Sequence, residues 1–233
     1  MRICVIIPAR LESKRLPRKP LIDLKGKPMI YHVYEKAVAS GVGDVYVATD
    51  SKEIESVLSG MGVPVIMTGK ASSGTERVYL ASHLIDGDIF INLQGDEPLI
   101  NPESLKILKD GFLKDMPDVG TLAVEKEDKD EFLDPNVVKV VTDRNGYALY
   151  FSRSPIPYGS NVFLKHIGVY MYTREFLRIF SNLEQAPMEH SEKLEQLKVL
   201  FHGYKIKVYK TPYDSIGVDT RDDLERVKRI IGG

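Results

Sequence analysis

The first hundred residues alternate between short apolar runs and segments with the periodicity of an amphipathic helix. Strands that alternate with helices form βαβ units around a parallel sheet. We therefore predict an α/β fold with a mostly parallel, twisted and doubly wound sheet that carries helices on both faces. The predicted strands and helices of this half lie at 3–7, 29–40, 45–48, 54–58, 63–67, 78–85 and 89–93.

The pattern changes after residue 118, where strand-like runs follow one another with turn sequences between them. These runs lie at 119–124, 137–142, 147–151 and 166–172, and they predict a smaller, inserted antiparallel region. Two helices, at 189–202 and 221–231, close the chain. Because there is no repeat, low-complexity segment or flexible linker, we expect a single domain over 1–233, with halves at 1–118 and 119–233.

Capping residues support several of these helices. Gly41 is placed to end the helix at 29–40, and Asp50 with Glu53 has the spacing of a capping pair before the helix at 54–58. Thr220 with Asp223 has the same spacing before the last helix.

The charge balance narrows the classes of partner. The 32 basic and 33 acidic side chains leave a net charge of −1, which argues against a nucleic-acid binder and offers nothing to an anionic membrane. The sequence enters an apolar strand at once, with neither a secretory leader nor a membrane-spanning stretch. We expect a cytoplasmic protein with no membrane partner.

An acidic pair follows the predicted strand at 89–93. Residues 92–99 read Asn-Leu-Gln-Gly-Asp-Glu-Pro-Leu, so Asp96 and Glu97 lie where a buried strand opens into a loop. Ligands of open α/β sheets bind at the carboxyl ends of strands, and Mg2+ prefers one or two carboxylates together with substrate phosphates. A turn closed by Pro98 explains the same residues equally well at this point.

A cationic segment follows the first strand, where five of the ten residues from Arg10 to Lys19 are Lys or Arg. Such a segment at a strand end is suited to hold a polyphosphate, although charge runs are more often solvated loops. The patterns of P-loop nucleotidases and of dinucleotide-binding Rossmann domains are both absent from the sequence.

A second carboxylate, Asp219, directly precedes the expected cap of the last helix, and helix capping is its simplest role. If Asp219 and Asp96 both lie at strand ends that adjoin, they can chelate one cation. His166 and Tyr170 share the polar face of an alternating strand. His166, Arg153, Glu195 and Gln196 are each ambiguous between a site and a structural role.

Eight motifs together give a more specific indication, because they follow one another along nearly the whole chain. They are Ile7-Pro-Ala-Arg10, Arg15-Leu-Pro-Arg-Lys19-Pro-Leu, Ser73-Gly-Thr-Glu-Arg77, Asn92-Leu-Gln-Gly-Asp-Glu-Pro98, Tyr147-Ala-Leu-Tyr-Phe-Ser-Arg-Ser-Pro-Ile-Pro157, His166-Ile-Gly-Val-Tyr170, Leu194-Glu-Gln-Leu197 and Gly217-Val-Asp-Thr220. In this order they closely resemble the family of 3-deoxy-manno-octulosonate (Kdo) cytidylyltransferases, the CMP-Kdo synthetases.

The resemblance implies a Rossmann-like nucleotidyltransferase fold, a homodimer, and Mg2+-dependent transfer of CMP from CTP to the anomeric 2-hydroxyl of Kdo, with release of pyrophosphate, for lipopolysaccharide biosynthesis. It makes 1–118 the nucleotide-binding half and 119–233 the sugar-binding and dimerisation half. It assigns to the nucleotide Ala9, Arg10, Ser13, Arg15, Lys19, Ser73, Gly74, Arg77 and Gln94. It assigns to the metal Asp96 and Asp219, which with Arg10 and Lys19 form the catalytic set.

The resemblance further assigns to the acidic sugar Gln94, Arg153, His166, Tyr170, Glu195 and Gln196. Arg153 can pair with the sugar carboxylate, and His166 can hydrogen-bond to it. Glu97 then becomes a supporting residue that fixes the loop. Two features depart from the family pattern: Arg18 stands where a small residue, usually Gly, is expected, and the stretch between Tyr158 and Lys165 is short.

Two alternatives remain open from the sequence. One is the same chemistry on another acidic sugar, such as an 8-amino analogue of Kdo or a sialic-acid-like nonulosonic acid. The other is a silent nucleotide-binding module, against which the joint presence of Arg10, Lys19, Asp96 and Asp219 speaks.

Overall fold

The computed structural model describes residues 1–12 and 16–232. They divide into two compact units. The chain leaves the first unit after residue 106 and returns to it at residue 215. Unit 1 comprises Met1–Lys106 with Ser215–Gly233, and unit 2 comprises Ile107–Asp214. The single domain expected from the sequence stays a prediction.

Strands and helices alternate through unit 1, while strands predominate early in unit 2. The strands are β1 (Ile3–Ala9), β2 (Asp23–Leu24), β3 (Lys27–Pro28), β4 (Asp44–Thr49), β5 (Val65–Met67), β6 (Ile89–Leu93), β7 (Val119–Lys126), β8 (Lys139–Thr142), β9 (Ala148–Ser152), β10 (Phe163–Thr173) and β11 (Ile206–Lys210). The α-helices are α1 (Met29–Ser40), α2 (Lys52–Ser59), α3 (Gly74–Ser82), α4 (Pro102–Asp115), α5 (Lys129–Leu133), α6 (Arg174–Asn182), α7 (Pro187–Glu192), α8 (Leu197–Phe201) and α9 (Arg221–Gly232).

A parallel sheet forms the centre of unit 1. Strand β1 pairs with β4 on one side and β6 on the other, and β4 pairs with β5. In this register Val5 lies opposite both Val45 and Ile91, so the middle of β1 is completely buried. The parallel α/β arrangement predicted for the first hundred residues is confirmed.

The helix caps of unit 1 agree with the sequence at two ends and differ at a third. Gly41 ends α1 in a left-handed conformation with φ 63°, which glycine adopts without strain. Before α9, the carboxylate of Asp223 accepts hydrogen bonds from the backbone N–H and the hydroxyl of Thr220, as predicted. The predicted Asp50 cap of α2 is wrong, because the Ser51 hydroxyl accepts the Ile54 N–H instead.

The last helix completes a core of unit 1 that the early chain begins. Val218, Leu224 and Val227 pack with Leu24 and Met29 in one buried apolar cluster. The residues that lead into α9 therefore pack against residues that follow the cationic segment.

Unit 2 contains a mixed sheet. Strand β10 pairs antiparallel with β7 and with β8, β8 pairs antiparallel with β9, and β11 pairs parallel with β7. The antiparallel region predicted from the runs after residue 118 is confirmed.

The single helix predicted at 189–202 is wrong. Helix α7 ends at Lys193, which adopts φ 55° and ψ 45°, and α8 starts only at Leu197. The Leu194 N–H donates back to the carbonyl of Glu189, and this turn buries the Leu194 side chain. Within residues 1–12 and 16–232, no helix combines the length and apolar character that crossing a membrane requires.

Candidate active site

A cleft of about 700 Å³ opens in unit 1 and gathers most of the residues expected at a nucleotide site. Its lining includes Ala9, Arg10, Lys19, Ser73, Gly74, Arg77, Gln94, Asp96 and Asp219, together with Pro8, Glu12, Pro20, Ala71 and Gly95. Two further expected residues, Ser13 and Arg15, lie outside the described residues. The expectation that these distant segments form one site is consistent with this lining.

Lys19 links the two carboxylates expected to hold a metal. Its ammonium lies 2.6 Å from Oδ2 of Asp96 and 2.9 Å from Oδ1 of Asp219. Burial acts to lower the pKa of Lys19, but the charges of both aspartates outweigh it and raise the pKa above its usual value. Two carboxylates that converge on one cationic group are a fitting donor set for a divalent ion.

Contacts between two loops explain why Asp96 and Asp219 meet. The Val218 N–H donates to the carbonyl of Asp96 at 2.9 Å, and the Ser215 hydroxyl donates to the buried carboxylate of Glu97. A Cβ on Gly217 would lie only 3.1 Å from Glu97 Oε1, so the close approach favours glycine there. Glu97 thus fixes the loop, as predicted.

Asp219 fits neither of the roles expected from the sequence, which were capping of the last helix and a position at a strand end. It follows an irregular segment and does not lie at a strand end, because the chain after β11 forms no strand between Thr211 and Thr220. The N-terminal bonds of α9 involve Thr220 and Asp223, whose side chains exchange hydrogen bonds with each other's backbone N–H. The Asp219 carboxylate instead bonds to Lys19.

A short polar relay orients Gln94 at the cleft. Its Nε2 donates to Oδ1 of the fully buried Asn92 at 3.0 Å, and Asn92 in turn donates to the Thr75 hydroxyl. A Cβ on Gly74 would lie 3.1 Å from Gln94 Oε1, so a side chain there would crowd the amide. The relay therefore holds the Gln94 amide between β6 and the start of α3.

The start of α3 contributes Ser73 and Arg77 to the cleft, and both also have structural contacts. Ser73 caps the helix by accepting the Glu76 N–H. Arg77 is almost fully buried, pairs with Asp50 at 3.2 Å and donates to the Thr68 hydroxyl at 2.7 Å. The guanidinium thus links α3 to the ends of β4 and β5, and its role toward the nucleotide stays a prediction.

The cationic segment presents Arg10 as an exposed side chain at the cleft, whereas Arg18 points elsewhere, to an ion pair with Glu53. Arg18 has φ 57°, a left-handed conformation that glycine adopts most easily. This backbone geometry gives a physical reason for the small residue expected at that position.

In unit 2, His166 is fixed by Thr121. The Thr121 hydroxyl donates to the carbonyl of Val169 at 2.7 Å, so its oxygen can only accept from His166 Nε2, which lies 2.9 Å away. Burial lowers the pKa of His166 to about 3, and the ring is therefore neutral with Nδ1 as an acceptor. In this state the ring cannot donate to a carboxylate as expected from the sequence.

The other residues expected at the sugar are Tyr170, which lies on β10 with His166, and the adjacent Glu195 and Gln196. Tyr170 follows His166 on β10 with ring centroids 5.4 Å apart, and burial, aided by the charge of Glu195, raises the Tyr170 pKa. Gln196 is buried immediately before α8. Their role toward a sugar stays a prediction.

Arg153 is held by main-chain carbonyls. Its Nε donates to the carbonyl of Glu192 at 2.8 Å and its Nη1 to the carbonyl of Pro135 at 2.9 Å. The Glu192 carboxylate accepts from the Ser152 hydroxyl and from the Arg153 N–H. Sequence reasoning missed Glu192, and it missed Lys139, whose ammonium donates to the carbonyl of Arg153. A lysine alone in the apolar run 137–141 was the available signal.

The residues expected to hold a metal are two carboxylates, those of Asp96 and Asp219, and their role stays a prediction. Among residues 1–12 and 16–232, no group of three or more His, Cys, Asp or Glu side chains is arranged to hold a metal ion. A cation at Asp96 and Asp219 therefore needs ligands from substrate or water, which is the usual situation for Mg2+.

Comparison with known proteins gives a consistent result. The sequence model of the family described as "Cytidylyltransferase" matches residues 4–206. A 3-deoxy-manno-octulosonate cytidylyltransferase from Chlorobium phaeovibrioides is 45% identical over 241 residues, which cover 99% of this chain and 98% of the relative. An 8-amino-3,8-dideoxy-manno-octulosonate cytidylyltransferase from Shewanella halifaxensis is 47% identical over 236 residues, covering 96% of each.

A solved structure agrees with the sequence relatives. The structure of a CMP:2-keto-3-deoxy-manno-octonic acid synthetase complexed with CTP superposes with a TM-score of 0.93 at 42% identity, covering 100% of this chain and 99% of that one. The fold predicted from the sequence, a nucleotidyltransferase-type α/β fold, is confirmed.

Proposed function

Because the chain belongs to the cytidylyltransferase family, we propose that it transfers CMP from CTP to the anomeric 2-hydroxyl of Kdo, giving CMP-Kdo and pyrophosphate. Relatives that match this chain over nearly their whole length carry that activity in their names. The reaction would serve lipopolysaccharide biosynthesis in the cytoplasm.

One structural observation supports the proposed reaction. Asp96 and Asp219, 123 residues apart in sequence, converge on the single ammonium of Lys19 in a cleft that Arg10 also lines. Paired carboxylates and cationic side chains within one cleft are what a metal-dependent reaction of a triphosphate requires.

Asp96 and Asp219 are the residues that would hold Mg2+. When bound, the ion supplies positive charge for the phosphates and lowers the pKa of the attacking sugar hydroxyl. Arg10 and Lys19 add positive charge that offsets the charge developing on the departing pyrophosphate. The relay from Thr75 through Asn92 to Gln94 fixes a polar group beside the nucleotide.

Arg153 and His166 suit different parts of an acidic sugar. The guanidinium of Arg153 can pair with the sugar carboxylate. The neutral His166 offers Nδ1 as an acceptor, which suits a sugar hydroxyl better than the carboxylate suggested by the sequence.

The test is a pyrophosphate-release assay with purified protein, Mg2+ and a panel of nucleoside triphosphates and acidic sugars. We expect release with CTP and Kdo, and little release with ATP, GTP or UTP. A protein that is folded and binds CTP but releases no pyrophosphate with any acidic sugar would contradict the proposal in favour of a silent nucleotide-binding module.

Substitution of the carboxylates tests the metal site within the same assay. We expect Asp96→Asn and Asp219→Asn each to lower kcat by at least about a hundredfold, because each removes a charged ligand from the reacting centre. Asp86→Asn, at an exposed carboxylate in the loop before β6, is the control. Near-normal turnover in either variant would remove that residue from the metal site.

The sugar specificity has a second candidate, because the Shewanella relative is named for the 8-amino analogue of Kdo. Comparing kcat/KM on Kdo, its 8-amino analogue and a sialic acid separates the candidates. We expect Kdo to be preferred, since the relatives named for Kdo match the chain at similar identity over 99% of its length.

We also propose that the protein works as a homodimer. The segment 149–162 of unit 2 exposes the large apolar side chains of Leu149, Tyr158 and Val162. Large apolar side chains exposed to water in the single chain are candidates for burial in an interface between subunits.

A further inference from the structure

Lys139, on β8, is a completely buried lysine whose charge is held by main-chain oxygens. Its side chain is 0% exposed. Its ammonium donates to the carbonyls of Asp134 at 2.9 Å, Val137 at 2.7 Å and Arg153 at 2.6 Å. These three acceptors match the three N–H donors of an ammonium group.

An ammonium group in this position is costly to bury. Lysine is almost never fully buried unless it is paired, and transfer of its charge from water has a large desolvation cost. The Lys139 pKa is lowered, with burial as the main cause. An apolar side chain of similar length would fill the same volume without that cost, but it could not hold three carbonyls together.

The carbonyls held by Lys139 are the ones that determine where Arg153 lies. Asp134 and Val137 flank Pro135, whose carbonyl accepts from Arg153 Nη1. The third carbonyl is that of Arg153 itself. One ammonium therefore fixes both the main chain from which the Arg153 side chain departs and the turn on which its guanidinium rests.

We propose that Lys139 is a positioning residue that orients the guanidinium of Arg153 for the carboxylate of the acidic sugar, an inference that rests on the proposed function. Nε and Nη1 of Arg153 each direct a hydrogen at a carbonyl, which leaves N–H donors of the five-donor guanidinium for a ligand. A two-bond pair between guanidinium and carboxylate depends strongly on geometry. Lys139 thus contributes to sugar selection without contacting the sugar.

The first experiment compares steady-state kinetics of Lys139→Met with wild type. We expect the KM for the acidic sugar to rise about tenfold, while the KM for CTP and kcat change by less than twofold. Lys165→Met is the matched control, because Lys165 is also buried in unit 2 but contacts Glu131 and Asp214. That variant should lose stability without a change in the sugar KM.

A double-mutant cycle with Arg153→Ala distinguishes positioning from a general structural role. If Lys139 acts through Arg153, the double variant Lys139→Met/Arg153→Ala has the same sugar KM as Arg153→Ala alone. Additive effects of the two substitutions on the sugar KM would overturn the proposal, as would an unchanged sugar KM in folded Lys139→Met. Should Lys139→Met fail to fold, Lys139→Gln keeps two N–H donors and is tested in the same cycle.

Hydrogen exchange provides a readout that does not depend on the substrate. In Lys139→Met we expect faster exchange at the backbone amides of Val137 and Arg153, whose carbonyls the Lys139 ammonium binds in the wild type. Exchange in β1 should be unchanged. Unchanged exchange at both amides would overturn the positioning role whatever the substrate is. Faster exchange in a protein that uses no acidic sugar would contradict the proposed function, but it would still support the effect of Lys139 on the main chain around Arg153.

Discussion

At the scale of single residues, Lys19 places one positive charge between the carboxylates of Asp96 and Asp219 in the cleft. Its ammonium satisfies one oxygen of Asp96 and one of Asp219, and its raised pKa keeps it charged at neutral pH. A divalent ion that binds these carboxylates must compete with this built-in cation. We therefore expect a divalent ion to bind these carboxylates less tightly, without nucleotide, than it would in the absence of Lys19.

This competition predicts the effect of Lys19→Met. Removing the ammonium leaves two carboxylates close together without their shared counter-ion, so Mn2+ alone should bind at least about tenfold more tightly, equivalent to about 1.4 kcal/mol. Titration followed by electron paramagnetic resonance of free Mn2+ measures this in the absence of nucleotide. Lys52→Met, at an exposed lysine of α2, is the control. Equal or weaker binding in Lys19→Met would contradict the prediction.

His166 predicts a pH dependence of stability. The unfolded chain binds a proton on this residue near pH 6.5, whereas the folded chain binds it only near pH 3, so stability falls as the pH decreases through this window. Between pH 7.5 and 5.5 wild type should lose about 1.4 kcal/mol more than His166→Gln, whose amide can still donate to Thr121. Urea unfolding at both pH values measures the difference, and parallel losses would show that His166 titrates normally in the fold.

Sequence reasoning could predict the charged residues of the site but not their partners. The rule that ligands bind at strand ends found Asp96, because β6 is an unambiguous apolar run. The convergence with Asp219 depends on hydrogen bonds from Val218 and Ser215, which no periodicity reveals. The tautomer of His166 depends on a threonine 45 residues away.

At the scale of elements, the turn before the Lys19–Leu21 3-10 helix contains a strained residue. Arg18 adopts φ 57°, and a side chain with a Cβ is disfavoured there by about 1 kcal/mol relative to glycine. Arg18→Gly should therefore be more stable than Arg18→Ala by about 1 kcal/mol. Both variants lose the ion pair with Glu53, so thermal or urea unfolding of the pair isolates the backbone effect. An alanine variant as stable as the glycine variant would contradict it.

The elements were predictable where one strong periodicity covers the whole segment. Strands β1, β4 and β6 are continuous apolar runs, and the structure confirms them. The segment 189–202 has helical periodicity throughout, but Lys193 adopts a left-handed conformation that buries Leu194 and breaks the helix. Tertiary packing of one leucine outweighs local propensity there, and this is information that a periodicity does not contain.

At the scale of the whole molecule, the C-terminal segment belongs to the same compact unit as the N-terminal part of the chain. Unit 1 is completed only by residues after 214, which supply Asp219 to the cleft and Val227 to the core around Leu24 and Met29. The two carboxylates proposed for the metal, Asp96 and Asp219, therefore come from the two separate segments of the chain that form unit 1. Unit 2 is inserted between them and contributes the residues proposed for the sugar.

The proposed homodimer gives the prediction at this scale. If the exposed apolar residues of segment 149–162 lie in the interface, Leu149→Lys should place a charge there and shift the protein toward monomer, since burial of an unpaired charge is strongly unfavourable. Leu149 is 62% exposed in the single chain, and Leu84 of unit 1, at 59%, gives the matched control Leu84→Lys. Light scattering coupled to size-exclusion chromatography should show two chains per particle for wild type and Leu84→Lys, and a concentration-dependent lower mass for Leu149→Lys. A monomeric wild type would contradict the dimer itself, whereas a dimeric Leu149→Lys would move the interface away from this segment.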